Sequence, residues 1–143
     1  MIQFLNENTD LPAFNAAQVR NWIQRVAVLH GKTAGDIAYL FCDDARILEV
    51  NNQYLQHDYY TDIITFDYST GKVISGDIYI SVDTVETNAL LYNCTFDKEL
   101  YRVIIHGILH LCGYDDTDAE LQLKMTELEN EALQMLEAAN DGN

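Results

Sequence analysis

The residues best placed to do chemistry lie in one short stretch, His106-Gly-Ile-Leu-His110-Leu-Cys-Gly113-Tyr114-Asp115-Asp116. Histidines four apart on a helix project from the same face, about one turn from each other. Two imidazoles so placed can share one metal ion. Gly113 can adopt the left-handed conformation that ends a helix sharply. The chain can then double back and bring Asp116 to the same ion. Three protein ligands leave a coordination position open for water, which is the mark of a catalytic rather than a structural site. Asp115 is an alternative ligand. Metzincin peptidases use a similar spacing, but they carry a glutamate general base directly after the first histidine. Gly107 stands in that place here, so a metallopeptidase lacks its base.

For these side chains to meet, a helix must carry both histidines and a scaffold must hold it. The apolar spacing predicts a helix from Thr95 or Asp97 through Leu100, Val103, Ile104 and Leu111, stopped by Gly113. Ahead of it, Ile2 to Leu5 reads as a short strand. Asn15 with Gln18 forms a capping box for a helix through Val19, Trp22, Ile23 and Val26, which Gly31 ends. That places His30 at a helix C-terminus, where a partly charged imidazole is favoured. Asp36 to Cys42 reads as a strand. Asp43 or Asp44 caps a helix through Ile47, Val50 and Tyr54. Thr61 to Phe66 and Gly76 to Ser81 read as an antiparallel strand pair around the turn Tyr68 to Lys72. Asp83 to Leu91 reads as a helix. Thr117 with Glu120 forms a second capping box, opening a final helix with an apolar stripe of Leu121, Met125, Leu128, Ala132 and Met135. The class is α+β, a small mixed β-sheet covered by helices, and residues 1–143 form a single domain.

Composition narrows the function. The chain has 143 residues and 48% hydrophobic residues, which suits one core. Eight basic residues against 23 acidic ones give a net charge of −15. That excludes broad electrostatic capture of nucleic acid, though not a local site with a metal. After residue 115 the only basic residue is Lys124, the pattern of a solvated acidic helix face. The N-terminus carries neither a basic region nor a long apolar run, and no stretch is apolar enough to span a membrane. Three cysteines without a secretory signal imply free thiols and a cytoplasmic protein. Cys112 follows His110 by two positions and points away from the histidine face, as a buried thiol would.

The long stretch resembles the motif H-G-x-L-H-L-x-G-Y-D-H of the YbeY family of ribosomal-RNA-maturing endoribonucleases. His106, Gly107, Leu109, His110, Leu111, Gly113, Tyr114 and Asp115 match it. Thr61-Asp62-Ile63-Ile64-Thr65-Phe66 is similar to the family's T-D-V-L-S-F, and Gly76-Asp77-Ile78 to its G-D-I. Asn51 and Tyr54 fit the helix before T-D. The agreement extends over roughly residues 35 to 138. The resemblance implies a zincin-like domain and a metal-dependent, single-strand-specific endoribonuclease. It further implies work on the 3′ end of small-subunit ribosomal RNA and in ribosome quality control. It also implies partnership with the ribosomal subunit or its proteins. Asp62 and Asp77 match family positions and suit carboxylates that orient a ligand or cap a turn.

Two departures from the motif matter. Asp116 stands where the family has its third histidine. Aspartate is a legitimate zinc ligand; its charge makes the ion a weaker Lewis acid and admits Mn²⁺ or Fe²⁺ beside Zn²⁺. Leu55 stands where the family has an arginine that serves the active site. His57 and Arg102 are the candidate substitutes, the first near the start of the Thr61 strand, the second one turn before His106. Their plainer readings are a surface-loop residue for His57 and, for Arg102, an ion pair with Glu99 or an acid of the last helix. Leu55 and the acidic charge together support an alternative function, a ribosome-associated assembly factor with a structural metal and little hydrolysis.

Overall fold

The computed structural model describes residues 1–55 and 63–141. Within them the order is β1 (Ile2–Asn6), α1 (Ala16–Leu29), β2 (Thr33–Cys42), α2 (Asp44–Leu55), β3 (Ile63–Asp67), β4 (Val73–Ser81), α3 (Val82–Leu91), α4 (Phe96–Leu111) and α5 (Ala119–Asp141). The four strands form one mixed sheet in the order β1-β2-β4-β3. β1 and β4 each run parallel to β2. β3 runs antiparallel to β4, pairing Ile63 with Ile80 and Asp67 with Gly76 around the turn that holds Gly71. The expected α+β class and the antiparallel pair are both present. β2 and β4 start three residues earlier than expected, and their register shifts between Ala34 and Ile37.

Alternation along the strands sorts the core onto two faces. Ile37, Tyr39, Ile78 and Ile80 point to the main core, where α1, α4 and α5 cover the sheet. Ile64, Phe66 and Tyr79 point the other way, to Ile47 and Val50 of α2. Local chemistry sets the helix starts. Asn15 Oδ1 accepts from the Gln18 amide at 3.1 Å, Ser81 Oγ from Thr84 and Thr95 Oγ1 from Lys98. Asp43 Oδ1 caps α2 by accepting from the Arg46 amide at 2.8 Å. The cap of α5 corrects the sequence reading. Asp118, not Thr117, accepts from the Leu121 amide at 2.8 Å, and α5 begins one residue later than a threonine cap would give. Among the described residues no helix is long and apolar enough to cross a membrane.

α4 is the element that matters for the site, and three contacts fix it. Leu100, Ile104, Ile105 and Ile108 are fully buried in the main core. The Tyr39 hydroxyl, buried under the helix, donates to the Ile104 carbonyl at 2.8 Å. Gly107 faces the sheet so closely that a β-carbon there would lie 3.0 Å from Ile78 Cδ1 and 3.2 Å from Ile63 Cδ1. No glutamate fits at position 107, and the peptidase-like general base is excluded by packing as well as by sequence. α5 is locked in turn by Trp22 of α1, whose Nε1 donates to the Ala132 carbonyl at 2.8 Å.

Gly107→Ala should therefore be nearly neutral, because slight overpacking is offset by roughly 1 kcal/mol of helix propensity. Gly107→Glu should lower stability by about 3 kcal/mol or more, since it drives an unpaired carboxylate against Ile78 and Ile63. Thermal and urea unfolding of the two variants check this; equal stabilities would mean that α4 does not sit tightly on the sheet.

Candidate metal centre

The three residues picked from the sequence come together. α4 projects His106 and His110 from one face, with their ring centroids 4.5 Å apart. Gly113 then takes φ +104°, a conformation open to glycine, and reverses the chain. The reversal is held by Gly113 N–H donating to the His110 carbonyl at 2.9 Å and by Tyr114 N–H donating to Leu109 at 3.1 Å. It delivers Asp116 Oδ2 to 3.4 Å from His106 Nε2 and 3.6 Å from His110 Nε2. The two Nε2 atoms lie 2.9 Å apart. Asp115 does not join them. Its Oδ1 turns back to accept from the Asp116 amide at 2.8 Å, which braces the turn.

Hydrogen bonds on the far side of each ring say which atoms face inward. His110 Nδ1 lies 3.0 Å from the Tyr114 carbonyl, which only accepts, so that nitrogen carries the proton. His106 Nδ1 lies 2.6 Å from Glu129 Oε2 and donates to it. Each ring therefore turns its Nε2 toward the other, with a carboxylate oxygen alongside. In their neutral forms both nitrogens can offer lone pairs to a shared cation, and the donor set of two imidazoles and one carboxylate suits a divalent transition metal. Burial, and then the neighbouring His106, push the His110 pKa down, while Asp116 opposes the shift. Its neutral, ligating form thus persists further into acid than that of an ordinary imidazole.

Sequence reasoning missed Glu129. It is 7% exposed on the inner face of α5 and holds two groups at once: Oε2 takes His106, and Oε1 pairs with Arg102 Nη1 at 2.9 Å. A carboxylate behind an imidazole fixes the ring orientation and raises the basicity of the opposite nitrogen. The signal was an acid set among Met125, Leu128, Ala132 and Leu133 on an otherwise apolar face. Arg102 stands beside the site, as expected, but an acid of the last helix engages it; its Nη2 also donates to Asn130 Oδ1 at 2.8 Å. His57, with Thr61 and Asp62, lies outside the described residues.

His30 differs from its sequence reading. It caps α1, but half-burial pushes its pKa down rather than favouring charge. Its Nδ1 lies 2.9 Å from the Tyr114 hydroxyl, so α1 supports the same residue whose carbonyl orients His110. Cys112 is half-buried rather than fully buried, and burial raises its pKa to about 11. Asp77 accepts from the Tyr68 hydroxyl at 3.3 Å, at the turn rather than at the metal site.

Known proteins resemble this chain over most of its length. The sequence matches the family model described as Endoribonuclease YbeY over residues 3–137. A protein of Parabacteroides distasonis named Endoribonuclease YbeY is 55% identical over 135 residues, covering 94% of this chain and 95% of that one. One of the same name from Bacteroides thetaiotaomicron is 52% identical, covering 94% and 98%. The solution structure of a Thermotoga maritima protein superposes with a TM-score of 0.67 at 28% identity, covering 100% of this chain and 93% of that one. With a family match running from the first strand to the last helix, the chain belongs to the Endoribonuclease YbeY family.

Proposed function

We propose that the chain is a metal-dependent endoribonuclease that cleaves single-stranded RNA at an ion held by His106, His110 and Asp116. The observation that carries this reading is the convergence of two imidazole nitrogens and one carboxylate oxygen, all within 4.8 Å of one another. Zinc fits the nitrogen-rich set best, and the single carboxylate keeps Mn²⁺ and Fe²⁺ within its range. An ion bound there supplies charge that polarises a phosphoryl group and acidifies water. The chain's own residues prepare that position. Glu129 and the Tyr114 carbonyl hold the imidazoles in the ligating tautomer. Asp116 adds a negative charge that moderates the ion. Gly107 contributes no side chain that could take a proton, and its α-carbon faces Ile78 and Ile63.

The RNA is ribosomal, and the step is maturation of the small-subunit 3′ end, carried out in the cytoplasm. Family membership supports this reading, as do three cysteines that all stand free. The net charge of −15 favours a second reading, in which the chain docks on basic ribosomal proteins and hydrolyses little.

Purified, metal-loaded protein should cleave unstructured RNA, and His110→Ala should reduce the rate by a hundredfold or more (about 2.7 kcal/mol of barrier). Equal rates in the two proteins would remove the nuclease reading; no turnover in either, with co-sedimentation on ribosomal subunits, would favour the assembly factor. Metal content measured by elemental mass spectrometry should stay near one ion per chain in Asp116→His and fall well below that in Asp116→Ala. Undiminished metal in the alanine variant would exclude Asp116 as a ligand. Glu129→Gln should keep the fold but weaken zinc binding by roughly tenfold or more, read by competition with a chelating dye.

A further inference from the structure

Two clefts open beside the three converging groups and merge. One, of roughly 290 Å³, reaches from His106 and Asp116 to Asn88, Tyr92 and Arg102. The other, of roughly 460 Å³, continues past Tyr92 and Arg102 to Cys94, Lys98 and Thr126. Tyr92, Glu99, Arg102 and Glu129 line both, so the two form one groove leading away from the site. Its floor is α4. Lys98, Arg102, His106 and His110 follow one another at four-residue intervals, and each step rises about 6 Å along the helix. Lys98 is exposed. The Arg102 guanidinium is held in place by Glu129 and Asn130 and keeps further N–H donors beyond those two contacts.

One wall is the end of α3. Tyr92 is 64% exposed there, an aromatic ring beside a polar groove. Its backbone is fixed. Its N–H donates to the Asn88 carbonyl at 2.9 Å, Asn93 reverses the chain at φ +55°, and Cys94 N–H donates to Ala89 at 2.9 Å. Three carboxylates also line the groove: Asp116 at its inner end, and Glu99 and Glu129 along its length, the last two closed to solvent. Glu99 is 4% exposed, and Glu129 is occupied by Arg102 and His106. Lys98 and Arg102, two of the chain's eight basic residues, lie on one stripe of α4 next to this exposed tyrosine.

We propose that this groove is a binding subsite for the RNA strand next to the cleaved position, with one base stacked on Tyr92 and neighbouring phosphates held by Arg102 and Lys98. Aromatic platforms beside a basic track are how unpaired strands are held without reading sequence. The subsite also accounts for strand selectivity, because a base paired in a duplex cannot offer its face to Tyr92. This inference rests on the reading of the site as one that takes RNA.

The test measures binding of a fluorescein-labelled, unstructured oligoribonucleotide by anisotropy across a salt series, with cleavage kinetics on the same metal-loaded protein. Tyr92→Ala should weaken binding and raise KM by roughly tenfold, while Tyr92→Phe should bind like the wild type. Lys98→Met should flatten the slope of log K against log salt by about 0.7, the loss of one phosphate contact. Both side chains are exposed, and unchanged unfolding curves and metal content should accompany both changes. Wild-type affinity and salt slope in Tyr92→Ala and Lys98→Met would overturn the subsite, even where His110→Ala shows that the nuclease reading holds. Binding that depends on Tyr92 and Lys98 without any cleavage would uphold the subsite and remove the nuclease reading.

Discussion

The inward face of this protein turns on the close approach of three polar side-chain atoms. Two imidazole nitrogens stand 2.9 Å apart, each with its proton on the far side, and a carboxylate oxygen closes the third corner. The rings are each tethered from behind, one by Glu129 and the other by a backbone carbonyl. The arrangement is preorganised for a positive charge: the fold already holds the three atoms together, and an incoming ion need not gather them.

The tethers reach unusually far through the molecule. Glu129 belongs to α5, which Trp22 of α1 locks through the Ala132 carbonyl. Tyr114 is supported by His30 at the end of α1. α4 itself is pressed onto the sheet at Gly107 and held by the Tyr39 hydroxyl, two residues from His106. Sheet, first helix and last helix therefore all bear on two rings. Buried area explains why the chain folds; these few directed hydrogen bonds explain why the rings point where they do.

How much of this could be read in the sequence depended on whether the signal was local. Caps at Asn15 and Thr95 and the reversal at Gly113 follow from side chains bonding their own backbone neighbours, and such rules act within a few residues. His106, His110 and Asp116 were legible for the same reason, since one helix and one turn bring them together. Near-neighbour rules also fail where neighbours compete, as Asp118 displaced Thr117 at the start of α5. What escaped was long-range. Glu129 is 23 residues from the ring it orients, and an acid on an apolar stripe reads as a defect until its partner is seen. His30 stands at the helix end where the sequence placed it, but burial there lowers its pKa, which the helix end alone would not foretell.

The attachment of His106 to the last helix has a consequence for how the molecule comes into being. A chain that ended before α5 would carry all three inward-facing side chains and still leave the His106 ring free to rotate. During synthesis those three groups emerge well ahead of the carboxylate that aligns them. Alignment of the His106 ring is thus deferred until α5 has docked, which couples the readiness of the site to the folding of that helix.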